Sequence, residues 1–191
     1  MPEKDASAGG SEQWQVLVSG ESDEWATPPD FVRPIADAIG GFDLDPSSGA
    51  EESPIARRTI GKQENGLKFD WFGNVWLNPP YSDIGPWLQK AIHEVRQEGV
   101  NTVVALVKGD TSTDWFQKYG TKAEYICWVG KRLNFGGGSN APFPSIVLVY
   151  GDVPREALRV LSHHGTVAPI DVLFRMDQSR INDPSNTDTD Q

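Results

Sequence analysis

Val75-Trp76-Leu77-Asn78-Pro79-Pro80-Tyr81 decides how this chain is read. The apolar triplet reads as a short buried strand, and it runs straight into a rigid turn. Two consecutive prolines fix their own φ and push the residue before each of them out of the helical region. Asn78 and Tyr81 are therefore held at the end of the strand with little freedom of their own. In open α/β sheets, ligands are bound at this end of the strands. A preset amide, a preset carbonyl and an aromatic ring suit a planar group that carries an NH2.

An exocyclic NH2 on an aromatic ring is a poor nucleophile, because its lone pair is delocalised into the ring. Two acceptors on its hydrogens, the Asn78 side-chain oxygen and the Pro79 carbonyl, favour a tetrahedral nitrogen with the lone pair aimed at a methyl donor. Pro80 completes the turn, and Tyr81 can stack on the ring. A base in duplex DNA must first be flipped out to reach such a pocket. The plainer alternative is a proline-stiffened turn with Asn as a cap and Tyr as core, and four residues alone do not separate the two.

The 191 residues suit one domain with a real core, and 38% of them are hydrophobic. No apolar stretch is long enough to span a bilayer, no signal-peptide pattern opens the chain, and the single Cys127 offers neither a disulfide nor a zinc cluster. A cytoplasmic setting is expected (the host cytoplasm for a viral protein). The three histidines, His93, His163 and His164, show no metal-ligand spacing and read as surface residues, so no metal is expected. The net charge of −10 is unusual for a protein that meets phosphates. Either the acid lies away from the working face or the whole surface is adapted to high salt.

Along the chain, residues 1–20 read as a flexible arm, 21–176 as the folded domain and 177–191 as a disordered tail. Thr27-Pro28-Pro29-Asp30 opens a helix that Gly40-Gly41 stops. Phe42–Asp45 reads as a strand ending in a turn at Pro46–Gly49, and residues 50–70 are weakly patterned. Pro86–Glu98 is an amphipathic helix, Val103–Val107 a buried strand and Thr113–Tyr119 a short helix. Tyr125–Val129 and Ser145–Tyr150 are strands, and Pro154–Leu161 a helix. Alternation of this kind predicts an α/β fold with a mostly parallel central sheet flanked by helices.

With its neighbours, the central motif resembles the phage-type DNA N6-adenine methyltransferases, the Dam-type methylases of phages and prophages. The matching pieces are Trp25-Ala26-Thr27-Pro28, Phe42–Asp45, Asn65-Gly66-Leu67 and Trp76–Ser82. They continue with Trp87, Lys90-Ala91, Asp114-Trp115-Phe116, Gly130–Phe135 and Ala141–Ser145. They run in family order from about Glu24 to Tyr150. The resemblance implies a Rossmann-like, S-adenosylmethionine (AdoMet)-dependent enzyme that methylates the N6 amino group of adenine in DNA, in restriction-modification or regulation. It places Asn78, Pro79, Pro80 and Tyr81 at the catalytic centre.

On the cofactor side, Asp45-Pro46-Ser47-Ser48-Gly49 stands where many AdoMet enzymes carry a glycine-rich loop. Asp45 is suited to the amino group of AdoMet, although a turn cap is the plainer role of an Asp-Pro pair. Pro46 and Ser47 let the backbone approach, and Thr27-Pro28 resembles the segment that meets the methionine carboxylate. Asn65, next to Leu67, stands where the family usually has an acidic residue that contacts the cofactor's adenine; Glu64 is the alternative. Lys108, Lys131 and Arg132 are candidates for DNA contact, and Phe143 for the wall of the base pocket. Solvated charges and a buried Phe are the bland alternatives. Outside this reading stand an N4-cytosine methyltransferase, which would use the same acceptors, and a catalytically silent nucleic-acid-binding protein of the same fold. A glutamine methyltransferase shares the tetrapeptide but not its flanking segments.

Overall fold

The computed structural model describes residues 27–48, 55–135 and 141–174. The predicted arm at 1–20 and tail at 177–191 lie outside the described residues, as do Trp25 and Gly136–Gly138.

Helix α1 (Pro29–Ile39) has proline in its first turn, and Phe31, Val32, Ile35 and Ile39 form its buried stripe. It ends at Gly40, whose φ of 82° places it in the left-handed region, with its N–H directed at the Ala36 and Asp37 carbonyls. The strands are β1 (Phe42–Ser48), β2 (Ala56–Gly61), β3 (Gly73–Leu77), β4 (Val100–Lys108), β5 (Tyr125–Val129), β6 (Ser145–Gly151) and β7 (Gly165–Pro169). Helices α2 (Ile84–Glu94), α3 (Asp114–Lys118), α4 (Arg155–His164) and α5 (Ile170–Phe174) are the remaining α-helices among the described residues, with single helical turns at Gly66–Lys68 and Gly120–Lys122.

The strands form one sheet in the order β2-β1-β3-β4-β6-β5-β7. The pairs β1–β2, β1–β3 and β3–β4 are parallel, whereas β4–β6, β5–β6 and β5–β7 are antiparallel. The sheet is thus mixed, which corrects the expectation of a mostly parallel one. Strand direction depends on which strands become neighbours, and hydrophobic patterning does not encode that. Two core clusters lie on its two faces. Trp87, Leu88 and Ala91 of α2 and Phe116 of α3 pack with Val103, Ala105 and Val107. The stripe of α1 and Ala157 and Leu161 of α4 pack with Val104 and Leu106. Strand β4 alternates between the two clusters, as period-2 geometry requires, and is buried on both sides.

Several expected boundaries move. Strand β1 continues through Pro46 to Ser48 instead of turning at Pro46. Its register shifts between Asp45 and Ser48, an irregularity of the kind that admits proline inside a sheet. Helix α2 runs from Ile84 to Glu94 and not from Pro86 to Glu98. Ile84 is buried and opens the helix, and the chain reverses at Gly99, whose φ is 112°. Strands β2 and β7 were not predicted. Both are outer strands, and β2 exposes Arg57 and Arg58 and buries only Ile60.

These directions put the ends of β1, β3, β4 and β5 and the start of β6 at one edge. Lys108 stands opposite Ser145 there. Asn74 Nδ2, at the other edge, donates to the carbonyls of Ile39 and Gly41 at 3.0 and 3.1 Å. That fixes the C-terminal end of α1 at the far edge. Its N-terminal end, with Thr27 and Pro28, therefore points towards the first edge, where Phe31 meets the His164 ring at 4.6 Å. His164 is thus partly buried and not simply a surface residue.

Candidate active site

The turn after β3 is tied to the end of β1. Asn78 N donates to Ser47 Oγ at 3.2 Å, and Ser47 N donates to Asp45 Oδ1 at 3.1 Å. Pro80 O accepts from Asp83 N at 3.1 Å, closing the turn that holds Tyr81. The Asn78 amide thus sits at the edge with its backbone N–H tied to β1 and the turn behind it closed. Asp45 is 6% exposed, and its carboxylate lies among backbone groups of its own strand end. The turn cap that is the plainer role of an Asp-Pro pair is present.

Residues 65–67 pack directly on this strand end. A Cβ at Gly66 would stand 1.9 Å from Pro46 O, so only glycine allows the two backbones to approach this closely. Asn65 has φ 60°, a left-handed conformation that Asn tolerates better than most residues, and its Oδ1 accepts from Leu67 N at 3.2 Å. Glu64 Oε2 accepts from Gly61 N at 3.3 Å. Asn65, Gly66 and Leu67 therefore join Asp45, Pro46 and Ser47 at one place. Far apart in sequence, they are brought together by β1 and the short helical turn Gly66–Lys68.

On the other side of Asn78 lies an aromatic group. Tyr81 is 4% exposed; its ring stands edge-on to Phe143 at 5.3 Å and to Phe135 at 6.5 Å. The Lys108 Nζ lies 5.6 Å from the Tyr81 ring centre and 6.0 Å from that of Phe143, within range of cation–π attraction. Burial pushes the Tyr81 phenol well above its ordinary 10.0, so it stays protonated. Three side-chain oxygens, Asn78 Oδ1, Tyr81 Oη and Ser145 Oγ, are buried. Among the described residues, the Tyr81 and Ser145 hydroxyls meet no hydrogen-bond partner. A buried hydroxyl without a partner costs free energy, and such groups concentrate where a ligand is to be met.

Lys131 and Arg132 follow β5 on the same edge and are exposed. Thr27 and Pro28 are half-buried, and Pro28 O accepts from Phe31 N and Val32 N as the start of α1. Sequence reasoning missed Phe135, Ser47 as the tether of Asn78, and Ser145. The only signal for Ser145 is its place at the end of Ala141–Ser145. Among the described residues no group of His, Cys, Asp and Glu is arranged to hold a metal, and no helix is long and apolar enough to cross a membrane.

The edge therefore has two sides: backbone and carboxylate from 45–47 and 65–67, and aromatic rings with buried hydroxyls from 81, 135, 143 and 145. Asn78 stands between them. Comparison with known proteins gives this arrangement a context. The family described as DNA N-6-adenine-methyltransferase (Dam) matches residues 16–159. A DNA N-6-adenine-methyltransferase of Escherichia phage T1 is 33% identical over 113 residues, 58% of this chain and 46% of that protein. One of Haemophilus phage HP1 is 34% identical over 119 residues, 60% of this chain and 67% of that protein. The match spans about half the length of the T1 relative and two thirds of the HP1 one. By the extent of the family match and the order of the matching pieces, this chain belongs to the DNA N-6-adenine-methyltransferase (Dam) family.

Proposed function

We propose that the chain is a DNA methyltransferase that transfers the methyl group of AdoMet to the exocyclic N6 of adenine. The fold is read as a Rossmann-like methyltransferase sheet, and the target base as flipped into the edge beside Asn78. The observation that carries this reading is the Ser47–Asn78 tether. It joins the strand end suited to the donor to the amide suited to the acceptor.

The donor set fits AdoMet. A buried carboxylate at Asp45 matches an ammonium, and the Asn65 amide matches an adenine edge. Thr27 and Pro28 lie at the N-terminus of α1, where a carboxylate is favoured by the helix dipole. Pro46, Ser47 and Leu67 line the approach. When bound, AdoMet supplies an electrophilic methyl group. The Asn78 Oδ1 and the Pro79 carbonyl accept the two amino hydrogens and localise the nitrogen lone pair. Tyr81 and Phe143 offer ring faces to the base, and the Lys108 ammonium must move aside for stacking on Tyr81. Lys131 and Arg132 meet the DNA backbone. The methylated nitrogen loses its proton readily to water, so positioning outweighs general-base catalysis at this site.

The test is nucleoside analysis after incubation with DNA and AdoMet. N6-methyladenine is expected, and N4-methylcytosine or no product refutes the assignment. Asn78→Ala is expected to abolish transfer while AdoMet still binds by calorimetry. Unchanged turnover would refute the role given to the amide.

A further inference from the structure

Behind the 65–67 loop lies a buried polar network. Trp71 Nε1 donates to Gly66 O at 3.0 Å, and Trp71 N donates to Glu94 Oε2 at 3.1 Å. The other carboxylate oxygen of Glu94 takes Lys90 Nζ at 2.6 Å. Trp71 and Glu94 are 4% and 5% exposed, so both polar links are shielded from water. The indole stacks on Trp87, with ring centres 6.4 Å apart and planes 25° apart, and Lys90 Nζ lies 5.4 Å from the Trp71 ring centre.

A buried ion pair is a poor source of stability, because desolvating both charges offsets their attraction. Its use here is geometric. Both Glu94 oxygens are committed, one to the cation and one to the Trp71 backbone, so the indole has one position. The indole in turn holds the carbonyl of Gly66, the glycine that leaves no room for a Cβ beside Pro46 O. The network belongs to α2, the helix that follows the Asn78–Tyr81 turn, and it ends at the donor side of the edge.

We propose that Trp71, anchored by Glu94 and Lys90, is a positioning residue for the methyl donor: it seats Asn65–Leu67 against Asp45–Ser47. The inference rests on the reading that these two segments hold AdoMet. Trp71→Phe keeps most of the ring packing and removes the indole donor. In the full chain, the Kd and KM for AdoMet are expected to rise about fivefold to tenfold, as loss of one hydrogen bond dictates. The KM for DNA, and kcat at saturating AdoMet, are expected to stay within about twofold, a split that general loss of structure would not give. A folded Trp71→Phe protein with unaltered AdoMet affinity overturns the proposal, as does a kcat loss with the AdoMet KM intact. Should Trp71→Phe not fold, Glu94→Gln serves, since it preserves shape and removes the charge facing Lys90. A rise confined to the AdoMet KM supports the proposal, and no rise overturns it. Wild-type protein that binds no AdoMet refutes the reading of the site itself. Wild type that binds, with Trp71→Phe binding equally, refutes only the role of Trp71.

Discussion

Gly66→Ala tests the packing at the centre of the site. The added Cβ would stand 1.9 Å from Pro46 O and 2.8 Å from Pro46 C, both backbone atoms that cannot rotate away. Ordinary contact begins at 3.4 Å, so the loop must retreat by about 1.5 Å. Such a shift breaks the 3.0 Å bond from Trp71 Nε1 and leaves a buried carbonyl unpaired. Overpacking costs about 1–3 kcal/mol and an orphaned buried acceptor a similar amount, so about 2–6 kcal/mol of stability is expected to be lost. Urea denaturation reads this as a lower midpoint with unchanged slope, and calorimetry is expected to show AdoMet affinity reduced by about tenfold or more. Gly85→Ala is the control. Its Cβ would lie 3.6 Å from Trp115 Cβ, an ordinary contact in a helix, so stability is expected to hold or rise by about 0.5 kcal/mol. A Gly66→Ala protein with wild-type midpoint and wild-type AdoMet affinity would refute the packing argument.

Ser47→Ala removes the acceptor for Asn78 N and is expected to cost about 1 kcal/mol of stability and about tenfold in kcat. Ser47→Thr keeps the oxygen and should recover much of both, and a wild-type kcat in Ser47→Ala would remove the tether from the mechanism. Burial pushes the Cys127 thiol up to about 12, and its Sγ donates to Leu161 O, so Ellman's reagent at pH 8 should find no thiol until the chain is unfolded. Rapid reaction of the native protein would contradict this. Burial lowers the His164 imidazole below its ordinary 6.5, against a smaller opposing pull from Asp30. The unfolded chain therefore takes up this proton first. Stability should fall as pH drops below 6.5 and level off below the folded value, and His164→Gln should reduce the fall in urea titrations across that range.

The interior of the sheet was legible because its strands are continuous apolar runs: Val75–Leu77, Val103–Val107, Tyr125–Val129 and Ser145–Tyr150 all fall inside observed strands. The outer strands were not. In β2, Arg57 and Arg58 face solvent, and β7 ends in Pro169, so neither shows the pattern of a buried strand. Pro46 hid the last part of β1, since proline is acceptable there only because the register slips beside it. At the site, Asn78 and its prolines could be read directly, because their constraint is local. The Ser47–Asn78 bond, the Gly66–Pro46 contact and the Trp71–Glu94 link could not, because each joins residues that only the folded topology makes neighbours.

The reversal of direction between β4 and β6 has a consequence for how such a chain can diversify. Segment 45–48 closes its strand and 78–81 leaves one, whereas 141–144 reaches the edge before its strand begins, from the far side of a seam running from Thr102↔Gly151 to Lys108↔Ser145. On the proposed reading, the methyl-donor cradle and the Asn78–Tyr81 turn are therefore anchored in one half of the sheet, and the remaining wall of the base pocket in the other. Exchanging residues in the arriving segment would retune which DNA contexts are accepted, while the inherited donor cradle stays as it is.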